Sequence, residues 1–287
     1  MAIRSSVSRR PSLRIDLSKS IMESDSNEEA WRLQRYLARA GCGSRRGCEA
    51  FILAGRVRIN GRISQELGVK VRPGKDIVTL DGHVVSLAQQ RYLAFHKPPR
   101  LLCSRKSTDQ KRTIFDFLAS QRVNTDALLY VGRLDFLSEG LLLLTTDGQW
   151  AQAITHPRHH LPRVYRVQIG VAWSDRMTQC CLQGIFDPEL EVLLTASSVR
   201  NLGDRNHGST HWVEIELLEG RNRQIRRMMK ALDVPILRLI RVSLGPVHLG
   251  TLPMGATRPL AEMEIGALLT SAERGDGVKG NGFLPQA

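Results

Sequence analysis

The sequence is short of acid and of long apolar runs, and each shortage excludes something. Only 28 Asp and Glu stand against 41 Lys and Arg, a formal charge of +13. That balance disfavours an acidic small molecule as partner and favours a polyanion, with nucleic acid first. No stretch approaches the roughly 18 apolar residues of a membrane span, and the run Leu141–Leu144 is far shorter. No membrane partner is expected. Five cysteines, odd in number and unevenly spaced, argue against a disulfide framework and for a reducing compartment, so the cytoplasm fits best. The chain also lacks a Gly-rich phosphate cradle, a nicotinamide fingerprint and a metal-ligand cluster, which removes kinases, helicases and methyltransferases as economical readings. No cofactor and no metal are expected. His156, His159 and His160 lie close together, but Cys180 and Cys181 are adjacent, poor geometry for chelating one ion, and the histidines read more simply as RNA contacts.

What is present falls into two unequal domains between polar ends. Residues 1–20 carry Arg4, Arg9, Arg10, Arg14 and Lys19 against Asp16, with several serines and no apolar block, which excludes a secretory signal. Two readings stay open, a disordered basic tail that touches RNA and an organellar transit peptide, and the first is preferred. The tail is assigned to 1–29 and a second one, rich in Gly and polar residues, to 269–287.

Residues 30–88 form the small domain. Leu33, Tyr36, Leu37 and Ala40 recur as one helical face, with Arg32, Arg35 and Arg39 opposite. Gly41 stops this helix, and Ser44 caps a second whose first turn exposes Arg45 and Arg46. Val57–Ile59 and Arg62-Ile63, with Arg58 among them, flank Asn60-Gly61, the dipeptide suited to a type I′ turn. Between Ala30 and Arg62 there are eight basic residues and one acid, the composition of a phosphate-binding surface. The pattern Arg32–Gly41, Ser44–Arg46, Gly55–Val57, Asn60-Gly61 resembles the S4 RNA-binding domain.

The large domain, 91–268, is strand-rich, and its most informative stretch runs from Gly132 to Gly148. The apolar runs Leu128–Val131 and Leu141–Leu144 bracket the polar segment that holds Asp135, which predicts a connection between two buried strands. A loop aspartate alone reads most simply as a turn cap. The stretch, however, resembles in every specified position the G-R-L-D-x-x-S-E-G-L-L-L-L-T-x-D-G signature of the RsuA/RluB/RluE/RluF group of rRNA pseudouridine synthases. That resemblance implies an α+β fold, with a mixed, mainly antiparallel sheet flanked by helices. It makes Asp135 the nucleophile and Arg133 a substrate contact.

Two further stretches extend the likeness. Arg163-Val164-Tyr165 alternates into a strand and resembles the family's K-x-Y element, which implies that Tyr165 is the active-site tyrosine. Glu219–Met228 resembles E-G-R-N-R-Q-I/V-R-R-M, in which the arginine after Gln-Ile pairs with the aspartate and the leucine before Glu-Gly packs on the base. Those positions are Arg226 and Leu217, with Arg223 a further RNA contact. Helical spacing independently puts Arg226 at the edge between the apolar stripe of Ile225, Met228 and Met229 and the basic face of Arg223, Arg227 and Lys230. Near His96-Lys97-Pro98-Pro99-Arg100 the family has an asparagine and a glycine where this chain has His96 and Arg100. Lys97 is retained and is expected to bind substrate.

Three functions follow. The first is a uridine-to-pseudouridine isomerase acting on ribosomal RNA, with a lean to the large subunit, on RNA or an assembly intermediate, and as a monomer. The second is a non-catalytic RNA-binding assembly factor. The third, least supported, is a glycoside hydrolase using Asp135 with Glu139. Residues 170–210 suggest an amphipathic stretch after Ser174, a strand near Leu190–Leu194 and a polar loop at 201–209.

Overall fold

The computed structural model describes residues 30–87, 89–204 and 210–274. The two expected tails at 1–29 and beyond 274, and the interdomain position 88, lie outside the described residues.

The small domain starts with β1 (Trp31–Arg32), α1 (Leu33–Arg39) and α2 (Arg45–Leu53), continues through β2 (Val57–Ile59), β3 (Arg62–Ser64), β4 (Lys70–Val71) and β5 (Val78–Leu80), and ends at β6 (His83–Val84). Leu33, Leu37, Cys48, Ile52, Val57 and Val78 close its core. Ser44 caps α2, its hydroxyl accepting from the Gly47 N–H at 3.0 Å. Asn60 and Gly61 take φ of 49° and 82°, the paired positive values that a type I′ turn needs. Arg32 is a correction to the expected helix face. It precedes α1 and pairs with Lys70 in a short two-stranded ribbon.

The large domain runs β7 (Tyr92–Lys97), α3 (Ile114–Ser120), β8 (Leu129–Val131), β9 (Glu139–Thr145), α4 (Gly148–Thr155), β10 (Arg163–Ile169) and α5 (Asp175–Gln183). It continues with β11 (Ile185–Asp187), β12 (Val192–Leu194), β13 (Ser198–Gly203), β14 (His211–Leu217), α6 (Gln224–Ala231), β15 (Ile236–Leu244), β16 (Val247–His248), β17 (Thr257–Pro259) and α7 (Glu262–Arg274). The main sheet has the order β13-β14-β10-β15-β9-β7-β17, with β8 on β9 and β16 on β15. All pairings in it are antiparallel except β9 with β15. The expected mixed, mainly antiparallel α+β architecture is present.

Both faces of β9 are buried, which is why Leu141 to Leu144 read as one continuous apolar run. Leu141 and Leu143 pack under α4 and α7, while Leu142 and Leu144 pack under α3. On the second face the core continues through Val167, Val213 and Leu239 to Met228 and Met229 of α6. Tyr165 touches both clusters of that face.

Three boundaries differ from expectation. His96 and Lys97 belong to β7, because their backbone continues the ladder to Leu141 and Gly140. Asn201 to Gly203 extend β13 along β14, so the polar loop begins later, and 205–209 lie outside the described residues. The stretch 269–274 is the last part of α7, held by Leu268 and Ala272 in the core, instead of the start of a tail.

The single parallel junction of the sheet rests on Gly140. A Cβ there would lie 2.3 Å from the Arg241 carbonyl oxygen and 2.6 Å from its nitrogen, and φ is +106°. Gly140→Ala is therefore expected to cost roughly 3 kcal/mol or more, strain and backbone clash acting together. Gly148→Ala, at a helix start with its nearest neighbour at 3.5 Å, should leave the denaturant midpoint almost unchanged. Equal midpoints for the two variants would show that β9 and β15 can separate freely.

Candidate active site

The connection from Gly132 to Ser138 crosses from β8 to β9 above the second face of the sheet. It carries no helix or strand of its own, so side chains from below have to hold it. The Lys97 ammonium does much of this. It is fully buried and donates to the carbonyls of Ser138 at 2.8 Å, Pro98 at 3.0 Å and Asp135 at 3.2 Å. The expected substrate contact is thus corrected: Lys97 lies beneath the loop, out of reach of a ligand. Burial pulls its pKa down to about 8. Arg100, where the family has glycine, takes φ of 62°, and its N–H donates to the Phe136 carbonyl at 2.6 Å.

Arg226 reaches the loop from α6. Its Nε lies 3.6 Å from Asp135 Oδ2, and its Nη2 donates to Ser138 Oγ at 3.1 Å. The side chain of Arg226 is 16% exposed and that of Asp135 37%, so the pair sits at the wall of a cleft instead of in the core. Burial lowers the guanidinium's pKa and the nearby Asp135 charge opposes that; an arginine stays cationic under either influence. Ser138, only 1% exposed, was missed in the sequence, where a serine inside a motif gives no sign of which side chain it will meet.

The α6 entry is built by Gln224. Its side chain accepts from the Arg221 N–H at 3.2 Å and donates to the Thr195 carbonyl at 3.0 Å and to Glu219 at 3.2 Å. This ties the Gly220–Arg223 turn to the rest of the domain. Arg223, at φ 52°, caps the helix through its backbone and projects into solvent. Arg227 departs from the expected basic face: it is clamped by Asp187 at 3.2 Å and Glu189 at 2.7 Å, anchoring α6 to the β11–β12 ribbon.

A cleft of about 300 Å³ opens between the loop and α6. Asp135, Arg226, Tyr165, Leu217, Arg133 and Arg223 all line it, which brings together every site residue expected in the large domain except Lys97. Six arginines and one carboxylate face the cleft, Arg163, Arg221 and Arg241 completing the set. Glu139, by contrast, is on the opposite face, 4% exposed and held by both arms of Arg238 at 2.8 and 3.1 Å. The Asp135–Glu139 hydrolase geometry is excluded.

In the small domain Arg45, Arg46, Arg32 and Arg58 are exposed. Arg35 and Arg39 instead stack on the ring of Trp31, each 4.7 Å from its centroid. Arg39 also lies 3.5 Å from Asp147, the residue that caps α4, and this pair ties the small domain to the large one. His156 and His159 are used locally, the first accepting from the Arg158 N–H and the second bonded to the Ala153 carbonyl at 2.6 Å.

Comparison with known proteins agrees with this geometry. Residues 91–231 match the RNA pseudouridylate synthase family model and residues 31–77 the S4 domain model. An RNA pseudouridine synthase of Aquifex aeolicus is 36% identical over 239 residues, 83% of this chain and 93% of its own length. Ribosomal large subunit pseudouridine synthase B of Escherichia coli K12 is 38% identical over 234 residues, 79% of this chain and 77% of that protein. The corresponding protein of Pseudomonas aeruginosa is 36% identical over 243 residues, of which this chain spans only 61% of the length. A crystal structure of a pseudouridylate synthase superposes with a TM-score of 0.55 at 28% identity, covering 83% of this chain and 99% of the other. The chain belongs to the RsuA/RluB group of RNA pseudouridine synthases, an S4 domain preceding the synthase domain.

Proposed function

We propose that the protein isomerises a uridine of large-subunit ribosomal RNA to pseudouridine, with Asp135 as nucleophile. The observation that carries this is the Asp135–Arg226 pair at the wall of a cleft otherwise lined by cations. Large-subunit RNA follows from the names of the relatives at 36 to 38% identity.

The reaction breaks the N1–C1′ bond, turns the uracil over and joins C5 to C1′. It is atom-neutral: the proton lost from C5 is balanced by one gained at N1. The carboxylate acts at C1′ by attack or by assisting elimination, or at C6 of the base; the geometry is compatible with each. In all of them Asp135 works as an anion, and Arg226 fixes its direction. Tyr165, beside Arg241 on the sheet, offers a rigid ring for stacking and an oxygen near where the C5 proton leaves. Leu217 packs against the base. Because the target must leave its stack, the exposed Arg133 and Arg223 take flanking phosphates, and Arg45, Arg46, Arg32 and Arg58 hold RNA at a distance from the cleft.

Purified wild type incubated with unmodified rRNA should give a single new pseudouridine, mapped by chemical adduct and primer extension, and Asp135→Asn should give none. Binding without conversion by the wild type would favour an assembly factor instead. Arg226→Ala should lower turnover on the order of a hundredfold or more with little loss of affinity.

The double variant Arg45→Ala, Arg46→Ala should weaken RNA binding and lower the salt slope by about 2, one per phosphate contact. An unchanged slope would place the RNA elsewhere.

Lys97 gives a pH dependence. Its folded pKa of about 8 lies below the ordinary 10.5, so between these values the folded chain sheds a proton that the unfolded chain keeps. This group's contribution to stability accordingly rises with pH across that window. Turnover should nevertheless fall above about pH 8 as the loop loses its ammonium clamp, with no fall in thermal midpoint. An alkaline limb that persists in Lys97→Met would assign it to another group.

A further inference from the structure

Residues paired across the sheet form one row on the cleft face. Ile215, Tyr165, Arg241, Gly140 and Lys97 are consecutive cross-strand partners on β14, β10, β15, β9 and β7. Gly140 has no side chain, the Arg241 backbone lying 2.3 to 2.6 Å from where its Cβ would be, and the Asp135 loop is held beside it by Lys97.

Arg241 is 2% exposed, yet it lines the cleft. Its Nε donates to the Leu141 carbonyl at 2.7 Å, which fixes the plane of the guanidinium. Its Nη2 is buried and has no hydrogen-bond partner among the described residues. A buried charged donor left unpaired is costly to a folded chain, and such groups concentrate at binding sites. Arginine has only donors, so what completes this group is an acceptor.

The depth of the cleft says which acceptor. Arg133, Arg221 and Arg223 are exposed at the rim, where a phosphate keeps part of its hydration. Arg241 stands lower, among Tyr165, Leu217 and Leu239, surroundings suited to a neutral flat ring with polar edges. Resting on the reading of the cleft as a uridine site, we propose that Arg241 is a base-binding residue whose Nη2 donates to a carbonyl oxygen of the everted uracil. Lysine could not substitute, since it lacks the second arm that anchors to Leu141 while the first is directed into the cleft.

The test compares two RNAs in the full chain carrying Asp135→Asn, which binds without turning over. One RNA holds the uridine that the wild type converts, and the other an abasic nucleotide at that position. Arg241→Met should weaken binding of the uridine RNA about tenfold, the size expected for a hydrogen bond to a charged group, and leave the abasic RNA unchanged. The salt slope should be the same with and without the substitution. Equal weakening of both RNAs, no weakening of either, or a slope reduced by about 1 would overturn the assignment, the last by making Arg241 a phosphate contact. Should Arg241→Met fail to fold, Arg241→Lys serves: loss of preference for the uridine RNA supports a directed donor, and full preference refutes it. Failure of the isomerase reading is separate, because it would appear in the wild type as absence of any converted uridine.

Discussion

A buried ammonium holds the loop that carries Asp135. From Gly132 to Ser138 the chain has carbonyls that no helix or sheet can pair, and a loop of this kind is ordinarily mobile. Lys97 satisfies two of them, Ser138 at 2.8 Å and Asp135 at 3.2 Å, and from the same nitrogen also donates to the Pro98 carbonyl at 3.0 Å. Because the lysine belongs to a central strand with both neighbours hydrogen-bonded, the loop inherits the rigidity of the sheet. Pairing a full charge with carbonyl dipoles is what lets the side chain be buried with no carboxylate against it, and the lowered pKa is the mark of that partial compensation.

The charges around the cleft are arranged by depth. Below the loop lie Lys97 and Arg241, both buried; beside it lies Arg226, partly covered; at its mouth stand Arg133, Arg221 and Arg223, exposed. Several carboxylates elsewhere in the domain are held in structural pairs, Glu139 by Arg238, Asp187 and Glu189 by Arg227, Glu214 by Arg166 and Arg200. Among the described residues Asp135 is the one carboxylate that lines the cleft, with six arginines around it. The field of these arginines suits a polyanionic strand.

Much of this was legible in the residues, and the reasons differ by element. The β9 core run, the Ser44 cap and the Asn60-Gly61 turn are local physics, and each is found where periodicity or turn chemistry put it. The Arg226 position at a helix edge followed from 100° per residue, and the structure directs it to Asp135. Lys97 was misjudged because a lysine beside Pro-Pro reads as a loop cation, and only the ladder to Gly140 reveals that it points into the protein. Arg39 and Arg227 were read as free basic faces, but their acids are distant in sequence, Asp147 and Asp187 with Glu189. Spacing along one helix carries no information about such partners. Arg241 was not among the expected site residues for the same reason, since its place is defined by its cross-strand partners Tyr165 and Gly140.

At His96 and Arg100, where the family has asparagine and glycine, backbone and ring hydrogen bonds hold both residues in place. Arg100 occupies positive φ, a conformation costing a non-glycine residue of order 1 kcal/mol or more, yet its N–H meets the Phe136 carbonyl. That bond adds a backbone tie at a carbonyl that Lys97 also approaches, at 3.5 Å, so the strain is offset by a contact the backbone makes whatever side chain is present. His96 bonds through Nδ1 to the Leu252 carbonyl at 2.7 Å, on the face of β7 away from Lys97. Alternation along the strand therefore separates the two neighbours: position 96 packs against the β16–β17 connection, whereas position 97 is bound to the loop. The residues that face the loop and the cleft, Lys97, Gly140 and Arg241, are cross-strand partners in one row, so the sheet sets all three positions together.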